Sequence, residues 1–121
     1  MIDYQKLLIG TGCFLIAQSL SWYQTNGQFI NTWMKDNPIL VSAMMGVPVG
    51  LGYIYGTENI VNAFGNNSLW SARILGFVTG VFSFSILTYI HVKEGINLKT
   101  AIILGLATIV VMLQVFWKVE D

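Results

Sequence analysis

The sequence predicts an all-α, polytopic membrane protein of four transmembrane helices in an up-and-down antiparallel bundle. Of its 121 residues, 55% are hydrophobic and 10% are charged, against roughly one quarter charged in an average soluble domain. The apolar residues gather into four runs, each near the ~20 residues that cross a ~30 Å hydrocarbon core at ~1.5 Å per residue. These runs are continuous where barrel strands would alternate, so strands are not expected. The length leaves no room for a second domain, and residues 1–121 read as a single transmembrane domain.

The first run covers residues 6–23. The opening "MIDYQK" lacks the basic region and small-residue cleavage site of a signal peptide, so the segment from Leu7 is expected to remain as a span. It stops at "YQTNGQFINTWMKDNP", whose Asn, Gly, Asp and Pro residues break a helix. Pro38 is suited to a helix start, and the second run covers 38–56. Pro48, inside it, is expected to bend the helix and free a carbonyl. "GTENIVNAFGNNS" then reads as a polar connection. The third run covers 69–92 and ends at "KEGINLK", where Gly95 is placed to close one helix and Asn97 to cap the next. The fourth covers 98–117. Trp22, Tyr23, Trp33, Trp70, Tyr89 and Trp117 all fall near run ends, where amphipathic rings favour the membrane interface.

Four crossings put Lys6, Arg73 and Lys118 on one side and Lys35, Lys93 and Lys99 on the other. A three-to-three balance gives no preferred orientation, which fits either a chance of small counts or insertion both ways. Arg73 reads as a helix-start residue whose side chain snorkels toward the headgroups. Gly46, Gly50, Gly52 and Gly56 in the second helix, and Gly76 and Gly80 in the third, form small-residue patterns that bring helices close. They serve either packing within one subunit or a homo-oligomer.

No Asp, Glu, Lys or Arg lies in the middle of any run. The polar residues at depth are hydroxyls, which can bond to their own helix carbonyls, and amides. Gln18 stands out, because a buried amide needs partners across a helix interface or in a wet cavity. Thr11, Gln18 and Trp22 share one face of the first helix. His91 ends the third helix, where interfacial hydrogen bonding is its expected role, and Cys13 reads as a small packing residue. No nucleophile stands beside a base, no His, Cys and carboxylate cluster has metal spacing, and no glycine-rich loop opens a helix. The expectation is no enzyme, no cofactor and no metal. With zero formal net charge, nucleic acid is not an expected partner.

"NSLWSA" before the third helix and "KEGINLKTAIILGLA" across the last hairpin resemble the small multidrug resistance proteins of the drug/metabolite transporter superfamily, over roughly residues 22–117. The resemblance implies four helices, an antiparallel dimer, and Trp70 with Ser71 lining a central path. That family's exporters carry a glutamate in the first helix; here the region offers Gln18 and Ser19. Asn67 replaces the family's tyrosine and Ala72 the glycine after its "WS" pair. The candidate substrate path is therefore Gln18, Trp22, Trp70 and Ser71, for a neutral or weakly polar solute moved without a midplane proton-coupling acid.

Two other readings stay open. "GTENIVNAFG" and "GVFSFS" are similar to motifs of fluoride channels, which also pair in opposite orientations. The asparagine would then lie in a loop. A non-transporting structural or accessory subunit is the third reading. In each case the expected partner is a lipid bilayer, with the inner or plasma membrane of a cell as its setting.

Overall fold

Side-chain caps start the helices where the sequence supplies short polar residues. The computed structural model describes residues 2–65 and 69–117. Asp3 accepts the Lys6 backbone N–H at 3.2 Å and opens α1 (Tyr4–Asn26). A single 3-10 turn (Gly27–Phe29) follows, and Asn31 then caps the short α2 (Thr32–Asp36). Pro38 begins α3 (Pro38–Phe64), where its missing N–H leaves no helix bond unmade. α4 (Leu69–Val92) is joined to α5 (Leu98–Phe116) by a turn in which Asn97 accepts the Thr100 N–H at 2.9 Å. No strand occurs among the described residues.

α3, α4 and α5 are each long and apolar enough to cross a membrane. α1, at 23 residues, reaches the required length, about 35 Å. It falls short of the apolarity of the other three, because Thr11, Gln18, Ser19, Ser21, Gln24 and Thr25 dilute it. The regular structure of the described residues is thus all helical, with three candidate spans, which suggests a membrane protein, and an N-terminal helix packed against two of them.

Three features differ from the sequence reading. The segment after the first run, expected to break the helix, continues α1 to Asn26 and then forms the 3-10 turn and α2. The polar segment after the second run continues as helix to Phe64, so Glu58, Asn59 and Asn62 are helical. Tertiary burial overrides the local signal there: Ile60 and Ala63 are buried against α1, and the Asp3 N–H donates to the Ala63 carbonyl at 2.9 Å. The Asn59 amide is accommodated by donating to the Tyr55 carbonyl one turn back, at 2.8 Å. Gly65 ends the helix at φ 91°, a conformation that favours glycine. At the end of α4 the left-handed residue is Lys93, at φ 63°, and not Gly95. A cation there faces the negative end of the helix, which offsets part of the cost of the conformation. Asn66, Asn67, Ser68 and Lys118, used in the sequence reading, lie outside the described residues.

α1 lies against α3 and α4, and α5 leans on α4. The buried cluster of Phe14, Ile60, Ala72 and Leu75 joins α1, α3 and α4. In a bilayer the alternative to protein contact is lipid, as apolar as a leucine side chain, so close packing carries more of the stability than removal from water. The closest packing is between α1 and α3. A Cβ on Gly56 would stand 2.6 Å from the Phe14 ring and 3.2 Å from the Gly10 carbonyl oxygen. One on Gly10 would meet Ile60 at 2.7 Å and the Gly56 carbonyl oxygen at 3.0 Å. Gly52 is held the same way, 2.7 Å from the Ala17 Cβ. A Cβ added at Gly46 or Gly50 would meet no neighbouring helix or side chain within 4 Å. Gly56→Val should therefore destabilise the protein by about 1–3 kcal/mol, whereas Gly50→Ala, which meets no neighbour inside a helix, should stabilise it by about 0.4–1 kcal/mol. Thermal melting in one detergent checks both; equal effects would contradict the contact.

Candidate functional site

α1 carries the polar residues, and α4 receives them. Gln18, half-buried in α1, donates from Nε2 to the Gly76 carbonyl at 2.8 Å. Gly80, one turn further along α4, leaves room for that amide: a Cβ there would stand 3.0 Å from all three of its terminal atoms. One turn along α1, Trp22 is buried and donates from Nε1 to the Thr88 hydroxyl at 3.0 Å. Its ring stacks on His91, with centroids 5.4 Å apart and planes at 27°. The Tyr23 hydroxyl and His91 Nε2 form a hydrogen bond at 2.7 Å. Among the described residues no buried side-chain nitrogen or oxygen lacks a hydrogen-bond partner.

Three clefts meet at Gln18. The first, of about 260 Å³, lies beside Ser21, Trp22, Thr25, Asn26, Gly80 and Phe84. The second, of about 530 Å³, runs along α4 past Arg73, Phe77, Phe84 and Ser85 to Thr100 and Ile103 of α5. The third, of about 290 Å³, lies among Phe14, Tyr53, Thr57, Leu69, Ala72, Arg73 and Gly76. Arg73 is exposed and lines the second and third. It is the one charged residue among the described residues that line the three.

The residues chosen from sequence are distributed over the fold. Gln18 and Trp22 share the first cleft. Ser71 is buried elsewhere, where its Oγ accepts from Gln114 Nε2 at 2.7 Å and ties α4 to α5. Trp70 is 75% exposed and lines none of the three clefts. Of the six glycines, Gly52, Gly56 and Gly80 make close contacts with α1, while a Cβ added at Gly46, Gly50 or Gly76 would meet no neighbouring helix or side chain within 4 Å. Sequence reasoning missed Gly10, the partner of Gly56, although Gly10, Phe14 and Ala17 recur at helical spacing. It also missed Arg73 as a cleft residue and Tyr23 and Thr88 as partners of the His91 and Trp22 rings. Among the described residues no group of His, Cys, Asp and Glu is arranged to hold a metal ion.

Comparisons with protein-family models, with curated proteins and with solved structures find no match to this chain. The clefts and their polar groups are therefore read from this structure alone.

The ring cluster at the end of α4 generates a test. Tyr23→Phe and His91→Leu should each lower stability, and a double-mutant cycle should return a coupling of about 0.5–1.5 kcal/mol, as expected for one hydrogen bond between helices. Additive losses would mean that the bond contributes nothing.

Proposed function

We propose that this chain is a small membrane transporter-like protein in which α1 serves as the fourth span and the clefts meeting at Gln18 admit a small polar molecule. The observation that carries this reading is the position of Gln18. Its amide nitrogen is held by the Gly76 carbonyl, and its side chain borders three clefts on different sides of α1. A fixed polar group at the junction of several openings suits a binding site, since positioned polar groups in a largely apolar cleft orient a ligand. The acids of α1, α3, α4 and α5 reduce, among the described residues, to Glu58 near the end of α3. A proton-driven carrier needs an ionisable group at depth, so facilitated exchange fits better than proton-driven export of a cation. The resemblance to small multidrug resistance proteins agrees with this reading, and with a homodimer whose subunits lie antiparallel in the membrane.

A non-transporting subunit is the second reading, favoured by one observation. α5 buries only Ala107 and leaves Leu98, Ile102, Leu106, Ile109 and Leu113 exposed, an apolar surface that suits either lipid or a partner.

Proteoliposome flux of a panel of small polar solutes, uncharged and anionic, separates the two. Gln18→Leu should cut flux at least fivefold while stability falls by no more than the about 0.5–1.5 kcal/mol of one hydrogen bond and oligomer size stays that of the parent. Trp70→Ala should reduce flux only if a second copy completes the path, because within one subunit Trp70 borders none of the clefts. No flux above empty vesicles for any solute, or flux unmoved by Gln18→Leu, would favour the structural subunit.

A further inference from the structure

We infer that the cleft between α1, α3 and α4 is a binding site for a small organic carboxylate, with Arg73 as its charge partner. The inference rests on the transport reading above and narrows its solute from polar to anionic. Arg73 forms no ion pair with any described residue. The other lining residues of both clefts it borders are uncharged, so the local field is positive and unopposed by the lining. A cation would be repelled there, and an anion would meet a guanidinium whose planar fork matches a carboxylate.

The rest of the cleft supplies what such a ligand needs. Thr79, Ser85 and Thr108 return their hydroxyls to carbonyls of their own helices. Thr57 and Tyr53, which line the cleft, do not: their hydroxyls make no hydrogen bond to a described residue. Gln18 has its nitrogen engaged with Gly76, so its place at the cleft is fixed. Phe14, Leu69 and Ala72 form the apolar part of the lining. A volume of about 290 Å³ suits a compact acid with a short apolar body. Two residues with free hydroxyls and one guanidinium residue in the lining of a largely apolar cleft supply the donors that a carboxylate head on such a body needs.

Benzoate is the probe, and benzamide its uncharged counterpart of the same shape. Equilibrium dialysis is run on the full chain in nanodiscs of phosphatidylcholine. Benzoate should bind at least tenfold more tightly than benzamide. Arg73→Gln should weaken benzoate at least tenfold and leave benzamide unchanged. Arg73→Lys, which keeps the charge and loses the fork, should fall between. Thr57→Val should weaken benzoate severalfold. The comparison of benzoate with benzamide on the parent protein decides the matter even if Arg73→Gln does not fold.

Absence of benzoate binding, equal binding of the two probes, or benzoate binding unchanged by Arg73→Gln would each overturn the inference. If benzamide crosses proteoliposomes in a Gln18-dependent manner and benzoate neither binds nor crosses, the transport reading survives and the carboxylate site does not. If neither probe nor any solute of the panel crosses, the transport reading fails; benzoate binding that depends on Arg73 would still establish the site.

Discussion

The approach of α1 to α3 at Gly10 and Gly56 fixes where the polar residues of α1 can go. Each glycine presents its backbone to the carbonyl of the other, and the added Cβ positions show that no larger residue fits without a shift. That contact sets the register of α1. Phe14 and Ile60 then close the core beside Ala72 and Leu75 of α4, one turn before Gln18 reaches Gly76. Trp22 and Tyr23 follow at the spacing that delivers them to Thr88 and His91. A shift of one residue along α3 would turn Gln18 by about 100° and leave its amide without this partner.

The polar residues of α1 and its moderate apolarity have the same physical basis. In hydrocarbon an unpaired amide or indole N–H is costly, so a helix that carries them needs partners from its neighbours. α4 supplies these: a backbone carbonyl for Gln18, a hydroxyl for Trp22 and an imidazole for Tyr23. On the other side of α4, Gln114 and Ser71 satisfy each other. α4 thus carries the hydrogen bonds to α1 and to α5, and its packing against α1, α3 and α5 accounts for its larger share of buried residues than α5 has.

Much of this was legible in sequence because it depends on local signals. α4 and the start of α5 follow from continuous apolar runs and from Asn97, whose capping needs no distant contact. Gln18 was legible because one amide in an apolar run needs a partner wherever the helix lies. The end of α3 was not legible, since "GTENIVNAF" has the composition of a connection and becomes helical through burial of Ile60 and Ala63 against α1. Gly10 and Gly56 are in separate helices, and nothing in either helix alone identifies the other as its partner. The place of Arg73 beside two clefts depends on three helices meeting, which no spacing within α4 encodes.

The most direct test of the account is the depth of α1 in a bilayer. Spin labels at Tyr4, Leu8, Leu15, Ile16 and Thr25, all on exposed positions of α1, can be read by the ratio of oxygen to nickel-chelate collision in lipid vesicles. With α1 as the fourth span, depth should rise from Tyr4 to a maximum near Leu15 and Ile16 and fall again at Thr25. A uniform shallow depth along the helix would place α1 on the membrane surface, and would contradict a path built around Gln18.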